Sequence, residues 1–410
     1  MKLPTPSPTM ATRHLPPAAS FYLLASITVS FLAGSAAPTP LYPVYQSMWG
    51  FSPVTLTLVF GIYAVAVLAA LLVAGRLSDH LGRRPVLIAA AVGQVVVMVM
   101  FATAASVTGL LLARVFQGVT TGAAIGAVGA AMIDLDKRRG SIANAVVPPL
   151  GTALGCLIGG VFLQYLPGPT HLVFAALAAV FVAQVLGLTF MKESITARPG
   201  ALESLVPRFN LPRATRKPLL LAAPILIAVW ALAGFYASLG PQLIRGMLSS
   251  QSPVLGGMAL FVLAASGGFA VLLLQNRTPR EMMLLGAGSL LAGVALTVAA
   301  LPHASFALFL LGTVVAGIGF GTGFQGAVRT VIATAAPHQR AGTLSIIFVI
   351  SYLGLGVPAI AAGSMLTHHA DIMVTAEAFC AVIMVLAGAA LAGAATSFYR
   401  GRAPAAAQRY

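Results

Sequence analysis

Twelve apolar runs follow one another along this chain, at about 19–37, 54–75, 86–105, 107–133, 141–163, 171–191, 218–241, 254–275, 282–301, 305–333, 342–366 and 373–397. About 20 helical residues span the hydrocarbon core of a bilayer, and these runs hold 19 to 29. Lipid offers no partner to an unpaired backbone N–H or C=O, so segments of this kind must be helical. The expected fold class is an all-α membrane protein with twelve transmembrane helices. Composition agrees, with 59% hydrophobic and 8% charged residues and a mean hydropathy of +0.96. A soluble domain carries about a quarter charged residues; this chain cannot cover a wet surface.

The formal net charge of +15 would suit a nucleic-acid binder only if the basic residues formed a solvated face or stripe. They do not. Arg245 falls in an outer connection, Arg114 and Arg329 lie within runs, and the other twenty of the 23 Lys and Arg fall at the termini or in alternate connections. Short loops rich in Lys and Arg stay in the cytoplasm. Both termini and the 192–217 loop are therefore expected there, and the chain is expected in a bacterial inner membrane. "LAGSAAP" at 32–38 has some look of a signal-peptide cleavage site. Retention of the first run is the favoured reading, because a long polar leader precedes it and cleavage would leave an odd number of spans. Cys156 and Cys380 both lie inside runs, and no spacing suggests a metal or cofactor.

The longest loop, 192–217, is polar, basic and contains proline. It divides the chain into a tail at 1–18, six runs within 19–191, six within 218–397, and a tail at 398–410. The halves also match in detail. Gly118 and Gly122 recur as Gly317 and Gly321, 199 positions later, and Arg139 and Arg340, 201 positions apart, open the following runs. Two pseudo-symmetric six-helix bundles suggest a duplicated transporter with its site at the midplane between them.

"GRLSDHLGRRP" at 75–85 concentrates charge between two apolar runs. Gly75 and Gly82 permit tight turning, and Pro85 suits a first helical turn. Topology accounts for the arginines but not for Asp79, since acids contribute little to orientation. Here the chain resembles the major facilitator superfamily, whose loop 2–3 signature Gly75, Leu77, Ser78, Asp79, Gly82, Arg83 and Arg84 follow, with His80 in a basic slot. The resemblance implies a latch between the two bundles on the cytoplasmic side, including Asp134 from the end of helix four. It also implies that Asp79 faces the start of helix eleven near Ala341. Plain cytoplasmic anchoring is the competing reading.

Arg114 lies about two turns inside the fourth run. A charge there costs at least about 2.5 kcal/mol on insertion scales and should face protein or water. Gln117, Gly118 and Thr121 share its face at i+3, i+4 and i+7. The group resembles motif B of the superfamily's drug:proton antiporters, which implies a cavity-lining role tied to proton transfer; snorkelling of Arg114 to the outer interface is the alternative. Arg329, near the cytoplasmic end of its run, is expected to snorkel. Gly151, Gly155 and Gly159 are spaced by four, as in close helix contact, and Gly118, Gly122 and Gly126 offer a matching series. Gly155, Cys156, Gly159 and Gly160 resemble antiporter motif C with Cys156 in place of its proline, which weakens the implication of export. Thr28, Trp230, Tyr236, Phe324 and Gln325 lie in runs that line the cavity in this superfamily, although an aromatic taken singly is more often packing or interface belt than a ligand contact.

None of the eight acids lies at mid-membrane, where a proton relay usually sits. Arg114 without such an acid disfavours multivalent cations and favours neutral, zwitterionic or anionic substrates. The expected function is secondary active transport by alternating access, exporting small amphiphilic drugs or metabolites, with proton coupling implied by the resemblance. The alternative is an uptake permease for a sugar, organic acid or similar metabolite. One chain is the expected functional unit, its partners being a small molecule and the bilayer. An intramembrane enzyme would need a His, Ser or acid constellation, and all seven histidines fall at termini, run ends or loops.

Overall fold

A computed structural model of the chain describes residues 14–206, 212–249, 252–336, 339–367 and 371–401. The stretches 1–13 and 402–410 of the two expected tails lie outside the described residues. Twelve helices are long and apolar enough to cross a membrane, and no strand occurs among the described residues. The first six are α1 (Pro17–Ala36), α2 (Pro53–Ala74), α3 (Arg83–Ala102), α4 (Val107–Leu135), α5 (Lys137–Tyr165) and α6 (Pro169–Thr189). The second six are α7 (Arg213–Ser238), α8 (Pro253–Leu273), α9 (Pro279–Ala300), α10 (Phe306–Ile332), α11 (Arg340–Thr367) and α12 (Ile372–Gly401).

Local sequence accounts for the helix starts. Proline opens α1, α2, α6, α8 and α9, where its missing N–H leaves no bond unmade. Ser52, Ser106, Asp136 and Ser305 each accept a hydrogen bond from the first turn they precede, satisfying one otherwise unpaired N–H. These caps carry helices into polar sequence: α5 begins at Lys137 and α3 at Arg83, four and three residues before the apolar runs. Beyond α1, the proline-rich stretch after Ala37 turns through Thr39–Leu41 into a further helix, Tyr42–Trp49.

The cores are two. Phe31, Phe101, Phe174 and Phe181 are buried in the first bundle, and Phe235, Tyr236, Phe309 and Phe379 in the second. Glycines set how closely helices approach within each bundle. A Cβ on Gly118 would stand 2.8 Å from the Tyr63 carbonyl oxygen, and one on Gly122 2.7 Å from Ala70 Cβ, so α4 is pressed on α2. Gly317 and Gly321 press α10 on α8 in the same way, against Leu263 and Gly267. The repeated glycines thus make equivalent contacts, helix four on two and ten on eight, as a duplicated architecture requires.

The Gly151, Gly155 and Gly159 series does not meet the α4 glycines, contrary to the matching series that spacing suggested. It receives α1, at Val29, Ala33 and Ala37. Small-residue spacing gives the closeness of a contact but not the partner. Gly160 instead faces Pro253 and Val254, and Gly257 faces the Cys156 carbonyl at 2.8 Å; α5 and α8 form one seam between the bundles. The other joins α2 to α11, where Gly61 meets Ile360 and Gly363 meets Thr57.

Candidate functional site

The membrane-spanning bundles present a basic face, carrying the loops that follow α2, α4 and α6, and a far face opposite. On the basic face, Gly75 closes α2 and Leu77–Leu81 forms a short helix. Gly82 then turns the chain with φ of 106°, a conformation open to glycine and strained for other residues. Its backbone starts α3 without a side-chain cap. The cap comes from Glu193, just beyond α6. Its carboxylate accepts the Arg83 and Arg84 N–H groups at 2.9 Å each and also those of Ser194 and Ile195. An anion at a helix N-terminus meets both unpaired donors and the positive end of the dipole.

Arg83, so placed, reaches three partners: Asp79 at 2.5 Å, Asp134 at 3.3 Å and the Ser78 hydroxyl at 2.7 Å. Arg84 donates to the Thr189 carbonyl. Arg76 donates to the carbonyls of Ser204 and Val206, and His80 lies 3.0 Å from that of Pro199. The structure therefore brings Asp79, Arg83 and Asp134 together, but within the first bundle. The Asp79 side chain is 52% exposed and has no ion-pair partner in the second bundle among the described residues. The expected contact of Asp79 with the start of α11 is not among the bonds described. The corresponding turn of the second bundle needs no remote cap, because Thr278 and Glu281 form a capping box at the start of α9. Arg329 donates to the Gln275 carbonyl beyond the end of α8, a favourable place for a cation, and so is held by protein.

Arg114 is 1% exposed, which excludes snorkelling. It donates to the Ser35 carbonyl at 2.9 Å, to Gln117 Oε1 at 2.5 Å and to the Tyr42 hydroxyl. Gln117 in turn donates to the Gly34 carbonyl at 2.9 Å. These carbonyls belong to the last turn of α1, whose C=O groups lack helical partners and carry the negative end of the dipole. The guanidinium also lies 5.3–5.5 Å from the ring centres of Tyr42, Tyr63 and Phe101. No carboxylate pairs with it among the described residues, and its Nε is buried without an acceptor. Carbonyls, a helix end and π faces thus hold a bare cation. Thr121, on the same face, accepts from Gln94 at 2.9 Å.

At mid-depth the α2–α11 seam is aromatic. Tyr352 of α11 packs on Trp230 of α7 with ring centres 4.8 Å apart, and Trp230 meets Phe324 of α10 at 5.9 Å. Phe348 lies 6.4 Å from both Phe324 and Tyr352. Tyr63, Ala64, Val67 and Leu68 of α2 complete the cluster. Sequence reasoning found Trp230 and Phe324 but missed Phe348, Tyr352 and Tyr63, whose aromatic spacing on their own helices carries no signal of a shared cluster. Gln325 stays half-buried beside Phe324. Thr28 is buried and bonded to the Leu24 carbonyl of its own helix. Tyr236 does not face the seam: it is buried in the second bundle, its hydroxyl bonded to Thr297 and Thr313 at 3.1 and 3.0 Å. It is an internal fastening rather than a wall of the seam.

Toward the far face the bundles close on each other. Thr57, Ser238, Leu239, Gln242 and Gly363 surround a void of about 10 Å³, at most one water. Ser252 donates to Gln164 at 2.6 Å across the α5–α8 seam. Among the described residues no group of three or more His, Cys, Asp or Glu could hold a metal ion.

A family model described as Major Facilitator Superfamily matches residues 23–360. The multidrug resistance protein MdtL of Klebsiella pneumoniae (strain 342) is 28% identical over 337 residues, covering 73% of this chain and 80% of that protein. MdtL of Escherichia fergusonii is 27% identical over 330 residues, with the same coverage. Among solved structures, a bacterial homologue of the human lysosomal transporter Spinster superposes with a TM-score of 0.69 at 16% identity, over 95% of this chain and 96% of its own. The nucleoside transporter NupG gives 0.66 at 14% identity, over 94% and 99%.

Proposed function

The chain belongs to the Major Facilitator Superfamily, and from that premise we propose that it exports small amphiphilic compounds by alternating access between its two bundles. It is a multi-pass membrane transporter, not an enzyme. The observation that carries the reading of its substrate is the seam cluster: Trp230, Phe324, Phe348 and Tyr352 meet α2 at mid-depth, with no acidic side chain in the cluster. Flat, largely apolar molecules suit such a lining. The unpaired charge of Arg114 behind Tyr63 disfavours cations, so uncharged, zwitterionic or anionic amphiphiles are the substrate class. Export is the direction supported by the relatives named multidrug resistance proteins.

In this reading the basic face and both termini lie in the cytoplasm of a bacterial inner membrane, following the positive-inside rule. With the far face closed, the structure belongs in this reading to a state accessible from the cytoplasm. Capture of Asp79 by the second bundle then accompanies opening to the outside. Protons are the coupling ion implied by the motif B resemblance of Arg114, Gln117, Gly118 and Thr121, and one chain is the working unit. Everted vesicles test direction and coupling together. A neutral aromatic probe should accumulate inside them under an imposed pH gradient, and accumulation instead in right-side-out vesicles would establish uptake.

A further inference from the structure

Tyr63 is the side chain of α2 that touches both halves of the site. Its ring lies 5.3 Å from the Arg114 guanidinium. The same residue packs into the seam cluster with Tyr352, Trp230 and Phe348 of the second bundle. From this juxtaposition we propose that Tyr63 is a positioning residue that couples rearrangement of the aromatic seam to the seating of Arg114. The proposal rests on the alternating-access reading above only in giving this coupling a use.

The physical argument begins with what holds Arg114. A buried cation lacking a carboxylate depends on every acceptor and π face around it, because little else in a low-dielectric site offsets its lost hydration. Tyr42 and Phe101 also face Arg114, but both belong to the first-bundle core. Tyr63 belongs to the seam. Relative motion of α2 and α11 must therefore shift the Tyr63 ring. That shift changes the surroundings of Arg114. The converse holds as well, since coupling between two groups through a third is reciprocal.

Trp230 makes the coupling readable without any substrate, because the chain has two tryptophans and a Trp49→Phe background leaves Trp230 as the sole emitter. In that background, purified protein is titrated with acrylamide before and after Arg114→Met. The expected result is a change of about twofold or more in the Trp230 quenching constant with Tyr63 present, and no further change in a Tyr63→Leu background. Tyr63→Phe, which keeps the ring, should retain the response. Equal Arg114→Met effects with and without Tyr63, or no effect in the wild-type background, would overturn the proposal. If Tyr63→Leu fails to give monodisperse protein, Tyr352→Leu removes the seam neighbour of the same ring. An undiminished Arg114→Met effect in that background would likewise count against it. Transport direction does not enter this measurement, so an uptake result in vesicles would leave it standing.

Discussion

Replacing Arg114 by methionine should leave the protein folded at nearly its original stability while abolishing transport. The losses are the bonds to the Ser35 carbonyl, Gln117 Oε1 and the Tyr42 hydroxyl. Leaving the first two acceptors unpaired costs about 1–3 kcal/mol each. Against this, the guanidinium no longer has to be stripped of water, a penalty of several kcal/mol for a buried ion. Its unpaired Nε also disappears. The methionine sulfur recovers about 0.3–1.5 kcal/mol per aromatic contact from rings that now face Arg114. The terms nearly cancel, and the expected change is within about 2 kcal/mol. An arginine paired with a carboxylate behaves differently, since its removal strands a buried anion at a cost of about 3–5 kcal/mol. Thermal unfolding of the purified protein in detergent distinguishes the two. The apparent Tm should move by less than about 8 °C. A loss of 4 kcal/mol or more would refute the reasoning, and so would full export activity in vesicles.

Other substitutions separate fastening from function. Asp79→Asn should change stability by less than about 1 kcal/mol, since half-exposed pairs contribute little, yet should cripple vesicle transport; unchanged transport would remove Asp79 from the switching machinery. Glu193→Gln replaces one acceptor oxygen by a donor facing the Arg84 N–H, and should lower stability by about 1–2 kcal/mol in a thermal shift assay. Gly155→Ala puts a methyl 2.6 Å from the Ala33 Cα, whereas Gly388 has nothing within 4 Å. The first should reduce the yield of folded protein or cost about 1–3 kcal/mol by overpacking, and Gly388→Ala should be neutral by the same assay. Tyr236→Phe should cost about 1 kcal/mol through its bonds to Thr297 and Thr313 without altering substrate selectivity in a toxicity panel, as befits a residue away from the seam.

Much of this was legible in the sequence because membranes constrain it so tightly. Run length alone located the helices to within a few residues, and the glycines repeated 199 positions apart marked equivalent contacts. Burial of Arg114 could be argued from the cost of exposing it to lipid, but snorkelling could be excluded only once Ser35, Gln117 and Tyr42 were in place. What resisted reading was partnership. Glu193 caps Arg83 from 110 positions away, and nothing local to "MKES" announces this. Spacing by four told that Gly151, Gly155 and Gly159 admit a neighbour, while α1 rather than α4 turned out to be the neighbour. Tyr236 looked like a wall and proved to be a rivet, because the stretch 219–235 before it is apolar throughout and leaves no periodic signal of orientation to follow.

The seating of Arg114 has an electrical consequence. A fixed elementary charge embedded in one bundle, with no acid beside it, moves with that bundle through whatever voltage the membrane sustains. One charge crossing the full field at 100 mV corresponds to about 2.3 kcal/mol, so a tilt that carries Arg114 through a tenth of it does work of about 0.2 kcal/mol. In the alternating-access reading, the balance between the two orientations is thereby tied to the energised state of the cell, before any ion or cargo has bound.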